Sequence, residues 1–216
     1  MIKQLIINGK KSYDDFNVYI GTREITSPKK KSVKASVPFS NTVYDFSKMN
    51  GELYWNERTL KYSFDIAELS TEEMENVKSE LLNWLLNVHD TDIYDPYIGD
   101  YHFHGSYDAD SWTENFGAGT ITVTFSVYPY KISNENVEVK VELNNEEQTI
   151  VINNNSAHRV SPTIVSDGNF TISYGDNSYA IGKGTFVSGF YFECGTNEIK
   201  INGTGNITFS YIEEVF

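Results

Sequence analysis

The 216-residue sequence contains a single cysteine, Cys194. One thiol excludes an internal disulfide framework and any cysteine-cluster zinc site, and it fits maturation in a reducing cytosol. Proline is scarce, five residues against 15 tyrosines and 13 phenylalanines, so the composition favours folded strands over disorder. Cations are also in short supply. With 17 basic and 30 acidic residues the formal charge is −13, and a phosphate backbone is repelled on average, which argues against general nucleic-acid binding. Neither half is a basic tail: residues 1–132 carry 13 basic and 19 acidic side chains, and the remainder carries 4 and 11. Long apolar runs are absent. The opening Ile2, Leu5, Ile6 and Ile7 give way to Asn8-Gly9-Lys10, too short for a signal-peptide core or a membrane span, so neither export nor a membrane partner is expected. No Gly-x-Ser-x-Gly elbow, phosphate-binding loop, His-Glu-x-x-His or EF-hand loop occurs, and no catalytic residue, cofactor site or metal site is assigned.

What is present is strand pattern. Leu60, Tyr62, Phe64 and Ile66 alternate with Thr59, Lys61, Ser63 and Asp65, and Ile121, Val123, Phe125 and Val127 alternate with Thr122, Thr124 and Ser126. Each set predicts a half-buried strand. One helix is predicted over about residues 70–88. Ser70 and Glu73 make a capping box, Leu69 and Met74 have the spacing of a hydrophobic staple, and Met74, Val77, Leu81, Leu85 and Val88 share one face.

Beyond Pro129-Tyr130 a polar stretch, 131–136, marks a boundary between domains at 1–132 and 133–216. Downstream, Val137–Leu143, Thr149–Ile152, Phe170–Tyr174, Phe190–Glu193, Glu198–Ile201 and Ile207–Tyr211 are separated by Asn-Asn, Asp-Gly, Gly-Asp and Asn-Gly signals. The expected fold class is mainly β: an N-terminal β domain with one packed α-helix, then a C-terminal antiparallel β-sandwich.

Several residues invite a chemical reading beside a structural one. His102 and His104 would project from one strand face about 7 Å apart. A metal could bridge them with Asp100, Asp108 or Asp110, or they are simply polar residues on an exposed or interfacial face. Asp90, Asp92 and Asp95 could supply a carboxylate pair for glycoside hydrolysis, with Asp92 and Asp95 as the pair, or serve as turn formers and solvated charges after the helix. Cys194, after Phe190-Tyr191-Phe192-Glu193, reads as core packing. Lys29, Lys30, Lys31 and Lys34 could touch nucleic acid or an acidic partner, or guard a strand edge. Tyr174, Tyr179, Tyr191 and Tyr211 could form a sugar platform in the second domain, though rings in alternating strands more often serve a core or interface. The sequons at Asn169, Asn202 and Asn206 read as chance matches.

Taken in order, several motifs resemble a known family. They are the opening 2–8 strand with its Asn-Gly-Lys turn, Phe16-Asn-Val-Tyr-Ile20, and Leu53-Tyr-Trp-Asn-Glu-Arg58. The alternating strand, the capped helix, Asp90-Thr-Asp-Ile-Tyr-Asp-Pro-Tyr97 and a strand closing on Val127-Tyr-Pro-Tyr130 follow. The sequence is similar to the distal tail proteins of siphophages, the bacteriophages with long non-contractile tails, in order over residues 1–132 and more loosely to the end. The resemblance implies a virion structural protein, made in the bacterial cytoplasm, six copies of which close into a ring around a channel that DNA only transits. It also implies a galectin-like or carbohydrate-binding-module-like second domain. Implied partners are the major tail tube protein, a tail-associated lysin or tail hub protein, the tape measure protein and a receptor-binding protein. The chain has no room for a long glycan-binding insertion. A free-standing lectin acting through the C-terminal sandwich is the alternative reading.

Overall fold

The computed structural model describes residues 2–48, 51–67, 70–115 and 117–216. They form two compact units: residues through Lys131 together with Phe216, and Ile132–Val215.

The first unit contains β1 (Ile6–Ile7), β2 (Lys10–Lys11), β3 (Tyr19–Ile25), β4 (Lys34–Ser36), β5 (Val43–Asp45), β6 (Arg58–Ala67), α1 (Thr71–Leu85), β7 (Thr91–Tyr94), β8 (Tyr101–Asn115) and β9 (Ala118–Val127). Its antiparallel sheet runs β2-β1-β7-β8-β9-β6-β3, whereas β4 and β5 pair only with each other. The β6–β9 ladder sets Leu60 opposite Phe125, Tyr62 opposite Val123 and Phe64 opposite Ile121. All six side chains are fully buried, as the period-2 alternation requires.

Helix α1 begins as the sequence predicts. The Ser70 side chain accepts from the Glu73 N–H while the Glu73 carboxylate accepts from the Ser70 N–H, which satisfies two otherwise unpaired donors. The staple residue Leu69 lies outside the described residues. The helix ends at Leu85, three residues before the predicted end, because i+3 bonds from Asn87 to Trp84 and from Val88 to Leu85 tighten the last turn. Its apolar stripe of Met74, Leu81, Trp84 and Leu85 joins the sheet core. Trp84 is fixed on both sides of its ring system, donating its Nε1–H to the Ile7 carbonyl at 3.2 Å and stacking on Phe16 at 4.8 Å.

One predicted strand is shorter than expected. The opening 2–8 strand shrinks to Ile6–Ile7, because Ser12 exchanges bonds with the backbone of Leu5 and folds the chain back. Strand β3 begins at Tyr19, after Asn17 closes a turn at φ 54°.

After β10 (Lys131–Ser133), the second unit contains β11 (Val137–Asn144), β12 (Gln148–Asn154), β13 (Thr163–Ser166), β14 (Asn169–Tyr174), β15 (Asn177–Ile181), β16 (Gly184–Val187), β17 (Gly195–Tyr211) and β18 (Glu214–Val215). Strand β17 organises it. Residues 195–201 pair with β12 and residues 200–204 with β14, whereas residues 204–211 pair with β11 and residues 207–210 with β13. The Asn202-Gly203 step, which reads as a turn between two strands, is instead a bend inside one strand that passes from one set of partners to another. Gly203 (φ 157°) and Gly205 (φ 117°) permit it. A Cβ on Gly203 would lie 2.5 Å from the Asn169 carbonyl oxygen, so only glycine lets the two backbones approach.

Candidate assembly surfaces

Asp95 corrects the sequence reading. It follows β7 and was expected as a turn former or solvated charge, yet its side chain is fully buried. Its Oδ2 accepts from the Tyr62 hydroxyl and from Arg23 Nε, each at 2.5 Å, and its Oδ1 accepts from the Tyr97 N–H at 2.9 Å. The Arg23 guanidinium also lies over the Tyr97 ring at 5.3 Å. Burial, then the neighbouring Asp95 charge, holds the Tyr62 phenol well above its ordinary range, so it remains a donor at every physiological pH. Burial, the largest single effect, weakens the charged form of Arg23, but the bond to Asp95, the Asp95 charge and Tyr62 together outweigh it and raise its pKa. The knot ties edge strand β3 to β6 and to the segment after β7. It does not offer a free carboxylate to pair with Asp92.

The two strand histidines are placed together with carboxylates, but not those expected. His104 Nδ1 lies 2.8 Å from Asp92 and Nε2 lies 3.0 Å from Asp90, and His102 Nε2 lies 3.4 Å from Asp92. An ionised carboxylate only accepts, so both His104 nitrogens donate and the arrangement suits the imidazolium. Its pKa is raised, first by the Asp92 bond, against a smaller effect of burial. Pairing of Asp92 with His104 across β7 and β8 brings these residues together, whereas Asp100, Asp108 and Asp110 lie elsewhere along the chain. His102 is buried against the Tyr94 ring rather than on an exposed face. Among the described residues no group of three or more histidine, cysteine or acidic side chains is arranged to hold a metal ion.

The lysine cluster opens a projecting hairpin. Lys29 and Lys31 bond through their backbones to Asn56 and Tyr54, after which β4 and β5 continue outward as an isolated pair. Every residue from 29 to 46 is exposed, including Val33, Val37, Phe39, Val43, Tyr44 and Phe46. At its base, Lys30, Lys31, Lys34 and Lys48 line a groove of about 500 Å³.

Elsewhere in the first unit Arg58 is buried, with Nε and Nη2 unpaired and its guanidinium 4.7 Å from the centre of the Phe103 ring. Burial pushes its pKa down to about 10, so it stays charged at neutral pH. Its place in Leu53–Arg58 gave no signal of burial. In the second unit Cys194 is exposed, against the expectation of core packing. Among the described residues the 190–193 segment is not part of a named strand and pairs through an isolated bridge between Phe192 and Val160. It buries Phe190 and Phe192 and leaves the following residues outside. Of the four candidate platform tyrosines, Tyr174 and Tyr179 pack against the core and Tyr211 is buried within it. Tyr191 alone of the four is exposed, and the Arg159 guanidinium lies over its ring at 4.6 Å. No described helix is long and apolar enough to cross a membrane.

No protein-family model matches the sequence, and no curated protein matches it significantly. The structure is similar to the crystal structure of the SPP1 Dit (gp 19.1) protein, described as a paradigm of the hub adsorption apparatus in phages that infect Gram-positive bacteria. The TM-score is 0.71 at 13% sequence identity, over 98% of this chain and 99% of that one. At this identity the likeness is one of fold, and it extends through both units. The mainly β architecture expected from the sequence is present in it.

Proposed function

We propose that the chain is a structural subunit at the distal end of a long non-contractile phage tail, where six copies close head-to-tail into a ring between the tail tube and the tail-tip or baseplate apparatus. End-to-end likeness to a hub adsorption protein, covering 98% of this chain, carries the reading. The surfaces suit it. A cyclic head-to-tail assembly needs a rigid subunit with two different complementary faces, and the buried Asp95 knot supplies rigidity while the exposed hairpin supplies one face. The role is non-catalytic, since Asp92 is engaged with histidines and Asp95 with Tyr62 and Arg23. A net charge of −13 suits a channel through which DNA slides without sticking. The tail tube protein, a lysin or hub protein and the tape measure protein are the expected neighbours, with a receptor-binding protein beyond them.

Negative-stain microscopy and mass photometry of the purified chain, alone and with tail partners, test the proposal. Six-membered rings are the expected result. A chain that remains monomeric in every mixture and is absent from virions refutes it.

A second reading rests on Tyr191, an exposed ring backed by Arg159. Selective glycan-array binding by the full chain, abolished by Tyr191→Ala, would favour a lectin.

A further inference from the structure

The hairpin that projects from the first unit is built in a way that folding alone does not explain. A two-stranded hairpin standing by itself is marginal in water, yet among the described residues this one has no third strand and none of its six large apolar side chains joins either core. Its tip is also strained. Ser40 donates to the Val37 carbonyl at 3.2 Å, closing the turn Val37-Pro38-Phe39-Ser40. Pro38 fixes the second position, and Phe39 occupies the third at φ 65°, where glycine is the usual residue. The conformation holds the Phe39 ring at 110% relative exposure. A bulky residue in a glycine position, wholly in solvent, is a displayed side chain.

Charge identifies what the display fits. Residues 29–48 contain five lysines and one acid, Asp45, on a chain whose net charge is −13. Residues 90–115 are the converse, with seven acids and no lysine or arginine. Their Asp92 and Asp90 stand beside His104 and Ser106 along β7 and β8, and Asp108 and Asp110 follow, exposed, on β8. Among the described residues no salt bridge joins the two segments within one chain. Asp90 and Asp92 share His104 and Asp95 holds Arg23, so the acids most open to an external partner are the exposed Asp108 and Asp110.

We infer that the 29–48 arm docks on a second copy of this chain, its lysines against the β7–β8 acidic face and the Phe39 tip seated on the neighbour. Two unlike surfaces on one subunit make a heterologous contact, the kind that propagates around a ring, and opposed charge sets its register and rate of assembly. The inference rests on the self-assembly reading above and adds the surfaces that perform it.

Sedimentation velocity and mass photometry of the full chain at 50 and 500 mM salt test it. The wild type should assemble, and more weakly at high salt. Lys31→Glu/Lys34→Glu should raise the concentration for half-assembly at least tenfold, as should Asp90→Lys/Asp108→Lys. Mixing the two double variants, or combining them in one chain, should restore assembly. Phe39→Gly should weaken assembly at least fivefold while leaving the melting temperature unchanged or higher, because glycine relieves the turn. A merely structural role for Phe39 predicts no change in assembly.

If the wild type never assembles, the ring reading fails and the arm assignment with it. If the wild type assembles and the arm variants match it, the arm assignment alone is overturned. Duplex DNA binding that the arm variants lose, with assembly unchanged, would also overturn it in favour of nucleic acid.

Discussion

Replacing Asp95 by alanine should destabilise the first unit by about 3–4 kcal/mol. Removing one partner of a buried ion pair typically costs about 3–5 kcal/mol. The Arg23 side chain is 28% exposed and can recover some hydration, whereas the Asp95 side chain is 0% exposed and its loss leaves the Tyr62 hydroxyl without an acceptor in the core. An unsatisfied buried donor adds about 1–3 kcal/mol, which replaces what the arginine regains. For a unit of this size the change corresponds to a melting shift of roughly 10–15 °C, or a fall of roughly 2 M in the urea midpoint. Tryptophan fluorescence is the suitable assay, because Trp55, Trp84 and Trp112 all lie in the first unit. Tyr62→Phe in the same background should lose less than the sum of the single effects, with a coupling of about 1–2 kcal/mol. If Asp95→Ala unfolds within 1 kcal/mol of the wild type, the buried knot is not what binds β3 to the sheet.

Three further outcomes are expected. Asp92→Asn should destabilise the β7–β8 pairing more at pH 6 than at pH 8: the raised pKa of His104 means its contribution is complete below the free-histidine pKa and lost as pH rises through the folded one, and an NMR titration of His104 should move down in the variant. Gly203→Val should destabilise the second unit by about 3 kcal/mol or more, read by thermal far-UV circular dichroism, because the new side chain meets the Asn169 carbonyl and the Phe170 ring. Cys194 should react stoichiometrically with a thiol reagent in the native protein within minutes; labelling that needs denaturant would contradict its exposure.

How much of this was legible depends on whether the cause is local. The β6 and β9 alternations and the Ser70–Glu73 box are local, and the buried set Leu60, Tyr62, Phe64 and Ile66 follows from period alone. Ser63 shows the limit. It was expected outward with Lys61, yet it is buried, because a bulge between Ile20 and Thr22 brings the Thr22 N–H and hydroxyl onto its oxygen. The burial of Asp95 depends on Arg23, 72 residues away, and nothing in Asp-Pro-Tyr announces that partner. Strand β17 was divided in two because Asn-Gly signals a turn in an isolated hairpin, whereas here glycine serves close approach between backbones. The lysines of the arm were visible as a cluster. Their meaning depends on the absence of any core beneath Val37, Phe39 and Tyr44, which only three-dimensional structure reveals.

The long bent strand also orders events during synthesis. Strands β11, β12, β13 and β14 all leave the ribosome before residues 195–211, and each of them pairs with that one later segment. Until it emerges they have no shared neighbour to zip onto, and nascent chains stalled before Gly195 should leave four strand edges open to aggregation or to chaperones. The second unit therefore waits on its last long element, and a ribosome that pauses late in the message exposes more sticky backbone than one that pauses early.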